Sequence, residues 1–149
     1  MSDYNNTIKV QLIGLDEARA RLSLAPKHIE EALREKKTLD EIGTVLVASA
    51  VKTIAAGGRP SLYKPLAAST IARKKSSKPL IDKGTLRESL DYETNDGNLY
   101  LTSVDYLKYH QFEEDRTKAK FPARPVWGVQ DEDHEEIIDI IVTNAQKNL

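Results

Sequence analysis

Apolar and polar residues alternate at two places in the chain, and each place predicts β-structure. Residues Thr7 to Ile13 (TIKVQLI) alternate strictly, which is typical of a half-buried strand. Residues 87–104 alternate on both sides of Asp96-Gly97, a pair that favours the two-residue type I′ turn of a hairpin. The alternative is that this alternation begins only after a short helical turn. With the two-residue turn at Asp96-Gly97, Tyr92 lies opposite Leu101.

A helical period follows in residues 39–55. One stripe, about half the circumference wide, contains the apolar positions Leu39, Ile42, Leu46, Val47, Ala50, Val51 and Ile54. Ser49 lies outside this stripe, and Gly57-Gly58 ends the helix. Residues Asp131 to Lys147 predict a last helix whose acidic first turns suit the helix dipole.

The remaining segments have weaker patterns. Residues 57–85 are punctuated by glycine, proline and serine and predict a long excursion, in which Ser69 to Lys74 is helical. Asp105 to Glu114 predicts a short helix, and 115–128 a loop. The expected fold is one α+β domain over residues 1–149. Its small, mainly antiparallel sheet, formed by the N-terminal strand and the 87–104 hairpin, is covered by the long helix and the C-terminal helix.

Composition narrows the function. With 22 Lys plus Arg against 23 Asp plus Glu, the net charge of −1 argues against a globally basic nucleic-acid binder. The absence of cysteine excludes disulfides and thiolate metal sites. No signal-peptide pattern and no bilayer-spanning apolar run are visible, so we expect no membrane contact.

The sequence offers few candidate residues for catalysis, metal binding or phosphate binding. His28, His110 and His134 have no metal-ligand spacing, and the acidic segment QDEDHEE (130–136) is explained by helix capping better than by a calcium loop. No phosphate-binding glycine loop occurs. His110 could serve a hydrolase as a general base, but no nucleophile stands near it in sequence. We therefore expect no enzyme, cofactor or metal.

The charges are unevenly distributed. Residues 57–87 hold eight basic residues and one acid, whereas the last twenty residues hold six acids and one lysine. Such polarity allows a weak DNA contact through residues 57–87. It equally allows head-to-tail association of identical subunits through patches of opposite charge.

Four further segments occur in a fixed order around the hairpin: GGRPSLYKPLAASTIARKK (57–75), KPLIDKGTLRESL (78–90), YLKYHQFEE (106–114) and FPARPVWG (121–128). Together they resemble the phage virion-morphogenesis, or tail-completion, family, to which the Mu-like head–tail joining protein G belongs. The resemblance covers about residues 57–130.

The resemblance implies a structural role in a bacteriophage or prophage particle: completing the tail or joining it to the head. Such proteins form rings on the tail axis, commonly hexamers, at the head-proximal end of the tail. The implied partners are other copies of the chain, the tail tube or tail terminator, and head-connector proteins, met in the bacterial cytoplasm during assembly.

A protein-contact surface is expected where the basic and motif residues lie. Two prolines stiffen the corner around Arg124, so we expect it to present Arg124 and Trp127 to a partner; the alternative is that Trp127 packs under the last helix. The predicted interface residues are Arg59, Arg73, Lys74, Lys75, Arg87, His110, Phe112, Arg124 and Trp127.

Overall fold

The sheet is antiparallel and three-stranded in the order β1-β3-β2. In the computed structural model, which describes residues 7–10, 26–74, 84–111 and 124–147, the strands are β1 (Thr7–Val10), β2 (Asp91–Asn95) and β3 (Asn98–Thr102). Tyr92 pairs with Leu101, as the sequence predicts. The predicted strand residues 11–13 lie outside the described part.

The hairpin turn has the predicted chemistry. Asp96 and Gly97 have φ values of 50° and 77°, and a type I′ turn requires a positive φ at both central residues. Of the two predicted starts of the alternation, the later one is correct, because Thr85–Ser89 is a short helix that precedes β2.

The fold is α+β, as predicted. The long helix packs on the sheet as expected, whereas the C-terminal helix packs mainly on other helices. The helices are α1 (Pro26–Arg34), α2 (Lys36–Ala56), α3 (Ala68–Lys74), α4 (Thr85–Ser89), α5 (Lys108–Gln111, after a 3₁₀ turn at Asp105–Leu107) and α6 (Asp131–Lys147). Helix α2 lies centrally and packs against α1, α6, β2 and β3.

The core is formed where α2 meets its neighbours. Its buried apolar side chains are Ile29, Leu39, Ile42, Leu46, Ala50, Ile54, Leu86, Leu90, Leu99, Leu101, Leu107, Val126, Trp127, Ile137, Ile138 and Ile141. Val47 and Val51, predicted in the apolar stripe of α2, are half-buried. Ser49, predicted outside that stripe, is only 1% exposed. The prediction for Ser49 was wrong because α6 supplies a polar partner for it.

Two polar pairs fix how α2 and α6 align. Ser49 donates a hydrogen bond to the Asp133 carboxylate, and Asn144 donates one of 3.0 Å from Nδ2 to Thr38 Oγ1. The partners stand eleven residues apart on both helices and in opposite order, so the helices run antiparallel. Since all four side chains are buried, a slipped register would leave them without partners.

Candidate interaction surface

A glycine turn ends α2 and directs the chain back along it. Gly57 has a φ of 77°, and its N–H bonds to the carbonyl of Ile54. Gly58 has a φ of 119°, and a Cβ there would lie 2.6 Å from the Ser61 carbonyl oxygen. Only glycine fits such a position without strain. The turn therefore places Arg59 beside the last turns of α2.

Arg59 holds several groups together. Its Nε donates to Thr53 Oγ1 at 3.1 Å, and its Nη2 donates to the Ser49 carbonyl at 2.9 Å and to Ser49 Oγ at 2.6 Å. Its Nη1 donates to Glu132 Oε1 at 2.8 Å. The side chain of Arg59 is 18% exposed and that of Glu132 is 66% exposed. Arg59 thus joins the end of α2 to the beginning of α6.

Asp133 completes this network from the other side. Its Oδ2 accepts hydrogen bonds from Ser49 Oγ and from the backbone N–H of Gln130, the latter at 3.0 Å. A carboxylate at the third helical position that binds the preceding N–H is half of a capping box. The capping interpretation of the acidic segment is therefore confirmed for Asp133, which in addition ties α6 to α2.

Gln111 fixes the segment that leads into α6. Its Oε1 accepts hydrogen bonds of 2.8 Å from the N–H groups of Val126 and Trp127, and its Nε2 donates one of 2.8 Å to the Trp127 carbonyl. The Arg124 N–H bonds to the His110 carbonyl at 2.8 Å. The Gln111 side chain and the His110 carbonyl therefore support the corner at residues 124–127. The Gln111 amide supplies three of these bonds.

Arg124 lies inside the corner. It is 4% exposed, and its guanidinium donates to the carbonyls of Lys64 and Pro65 at 3.0–3.3 Å. Tyr63 donates a hydrogen bond to the Pro125 carbonyl. Burial raises the pKa of Tyr63 to about 12, and the Arg124 charge opposes part of that rise. The corner and the segment after Arg59 therefore hold each other in place.

The expectation that this corner presents Arg124 and Trp127 outward was wrong for the single chain. Trp127 is 7% exposed and belongs to the core cluster. Arg124 turns inward because the carbonyls of Lys64 and Pro65 accept its hydrogen bonds. Gln111 binds the backbone N–H and carbonyl of Trp127. For Trp127, packing within the core is the better of the two alternatives.

Beside the corner lies a cleft of about 710 Å³. It is lined by Arg59, Pro60, Pro125, Val126, Trp127, Gly128, Val129, Gln130, Asp131 and Glu132. Val129, on its wall, is 59% exposed, and nearby in sequence to Pro60 the large apolar Leu62 is 77% exposed. Exposed apolar residues beside a cleft are typical of protein contact sites.

Arg73 and Arg87, two other predicted interface residues, do not line this cleft. Arg73 on α3 and Arg87 on α4 are exposed, and Lys74 is the last residue of α3. Lys75 and Phe112 lie outside the described residues. The structure thus brings Arg59, His110, Arg124 and Trp127 into one connected region. The predicted interface did not include Ser49, Tyr63, Gln111 and Asp133. Tyr63 and Gln111 lie in the family-like segments and Asp133 lies in the acidic segment, whereas Ser49 had no such signal.

Within the described ranges, no group of three or more acidic or histidine side chains could hold a metal ion. In the same part of the chain, no helix is long and apolar enough to cross a membrane. Two structural features are instead prominent: a motif region held by internal hydrogen bonds, and a cleft at its edge.

The model of the phage virion morphogenesis family matches residues 17–145. The chain belongs to this family. The family resemblance in the sequence is thereby confirmed, and it gives the protein a structural role in virion assembly. Searches of curated proteins and of solved structures found no significant match.

Three of the motifs of this virion morphogenesis protein meet in the structure. The segment after the Gly-Gly-Arg turn is linked to the Arg124-Pro125 corner by the hydrogen bonds of Arg124 and Tyr63. The His-Gln pair is linked to the same corner by the hydrogen bonds of Gln111. These residues build the cleft and its surroundings. The predicted DNA contact through residues 57–87 stays a prediction.

Proposed function

We propose that this protein completes the phage tail or joins the tail to the head, acting at the head-proximal end of the tail. It does so through contacts alone, without catalysing a reaction. Its neighbours would be the tail tube or tail terminator on one side and head-connector proteins on the other. Membership of the virion morphogenesis family supports the general role.

The observation that carries this proposal is the separation of charge on one small chain. The exposed acids Asp131, Glu132 and Glu136 lie on the first turns of α6, beside the cleft, whereas Arg73 is exposed on α3. Unlike patches on one chain let identical subunits associate head to tail, and such contacts form a ring when the rotation closes. A ring suits a position on the tail axis.

Deletion of the gene from its phage tests the proposal. We expect DNA-filled heads and separate tails, or tails with an incomplete upper end, in electron micrographs of the lysate. A plasmid copy of the wild-type gene should restore joined, infectious particles. Normal numbers of joined particles from the deletion phage would refute the proposal.

A further inference from the structure

The lining of the cleft suits a protein segment that carries apolar and basic side chains. Its floor includes Val126 and Trp127, and Val129 is exposed on its wall. Its volume of about 710 Å³ is in the range of sites that hold several side chains. The α6 residues Asp131 and Glu132 are exposed on one side of it.

The α6 side of the cleft is predominantly acidic. From residue 125 to residue 146 the chain has no lysine or arginine. Glu136 is exposed and stands one turn after Glu132, so the two share a face of α6. One cation, Arg59, pairs with Glu132 there. A partner that places further cations beside α6 would therefore be attracted.

The same chain carries a segment of matching chemistry. No acid occurs between residues 42 and 81. Helix α3 lies within this stretch, and none of its described side chains is buried: Ala68, Ser69, Ala72 and Arg73 are exposed, and Thr70 and Ile71 are half-buried. Small exposed residues let another surface approach closely, while Ile71 and Arg73 supply apolar contact and positive charge.

Hydrogen bonds fix the segment that precedes α3. Helix α3 itself does not occupy the cleft of its own chain. Arg124 binds the carbonyls of Lys64 and Pro65, and Tyr63 bonds to the Pro125 carbonyl. None of residues 61–74 lines the cleft. The segment before α3 is thus fixed, and α3 does not line the cleft of its own chain.

We propose that the cleft binds helix α3 of a second copy of this chain, with Arg73 beside the acidic face of α6 and the apolar side chains over Trp127. Each subunit would give its helix to one neighbour and receive a helix from the other. The contact is head-to-tail and repeats around a ring. This inference rests on the ring in the proposed function and names the two surfaces that form it.

Charge reversal tests the contact on the full chain. The variants are Arg73→Glu, Glu136→Lys and the double variant that carries both. Reversing one charge replaces attraction by repulsion, so each single variant should associate roughly tenfold more weakly than wild type at low salt. The double variant, and an equimolar mixture of the two single variants, should regain association because each pairs opposite charges again.

The matched control is Lys37→Glu, which makes the same change of charge at an exposed position. It lies at the other end of α2, roughly 18 Å along the helix axis from Ser49, to which Arg59 binds. We expect it to associate like wild type. Light scattering after size exclusion and native mass spectrometry give the assembly state of each sample.

Cysteine crosslinking checks the geometry, since the chain has no cysteine of its own. Chains with Ala72→Cys mixed with chains with Val129→Cys should form a mixed disulfide dimer at low salt. Chains with Lys37→Cys mixed with Val129→Cys chains should not.

Assembly by the single variants as strong as that of wild type, or a double variant that stays monomeric, would overturn the inference. So would a wild-type chain that remains monomeric at low salt and gives no mixed dimer. Those results would leave tail completion to be decided by the deletion phage, so the two proposals can fail separately.

Discussion

Replacing Arg59 by alanine should destabilise the protein strongly, although the residue lies after the end of a helix. The change removes three hydrogen bonds to Ser49 and Thr53, which are buried, and one to the exposed Glu132. A hydrogen bond that involves a charged group contributes about 1.5–3 kcal/mol, whereas an exposed ion pair contributes about 0–1 kcal/mol. Because bonds of one side chain are not additive, we expect a loss of about 3 kcal/mol in the free energy of unfolding.

Urea unfolding of the purified protein measures this loss. For a chain of this size, about 3 kcal/mol also lowers the melting temperature by roughly 6–12 °C. Glu132→Gln is the matched control, since it removes only the exposed ion pair, and it should cost less than about 1 kcal/mol. Arg59→Lys keeps the charge but not the planar fork, so its loss should be intermediate. Equal losses for Arg59→Ala and Glu132→Gln would refute the argument that the bonds to α2 dominate.

Three further changes test other contacts. Gln111→Ala leaves the N–H groups of Val126 and Trp127 without their acceptor, so it should lower the free energy of unfolding by about 2–3 kcal/mol. It should also red-shift the fluorescence emission of Trp127, the single tryptophan. Unchanged emission would contradict the role described for Gln111. Burial raises the pKa of Tyr63 from its usual 10.0 to about 12. The stability that this group contributes is therefore complete below pH 10 and is lost as the pH rises toward 12. Absorbance of tyrosinate should show one late-titrating group in wild type that Tyr63→Phe lacks. Gly43→Ala would place a Cβ 2.6 Å from the Tyr92 ring and should destabilise the protein by about 1–3 kcal/mol in urea unfolding. In a chain that already carries Tyr92→Ala, Gly43→Ala should instead stabilise, because alanine is a better helix former than glycine.

Local patterns were sufficient for the hairpin and for the last helix. Asp96-Gly97 determines the turn within two residues, and the register of Tyr92 opposite Leu101 follows from it. Helix α6 begins and ends at the predicted residues because the acidic first turn and the apolar period are both contained in its own sequence. The α+β class follows from these elements.

The buried polar pairs could not be predicted in the same way. Ser49 and Asp133 are 84 residues apart in the chain, and Thr38 and Asn144 are 106 apart. A serine on an otherwise apolar helix is indistinguishable, in sequence, from one that faces water. Its burial becomes favourable only when a distant carboxylate arrives to accept its hydrogen bond.

The direction of Arg124 was wrong for a similar reason. A rigid Pro-Ala-Arg-Pro corner suggests an outward arginine, and the sequence near it does not indicate which groups accept the hydrogen bonds of Arg124. The acceptors are the carbonyls of Lys64 and Pro65, some 60 residues earlier. In the contact that we propose, the surfaces that face a partner are the cleft and α3.

The most direct test of the central claim is the position of this protein in the virion. Purified particles labelled with a gold-coupled antibody against the chain should show label at the junction of head and tail in electron micrographs. Heads and tails from the deletion phage, treated with the same antibody, supply the background. Label along the tail or at its far tip, or none on the particles, would contradict a role at the head-proximal end.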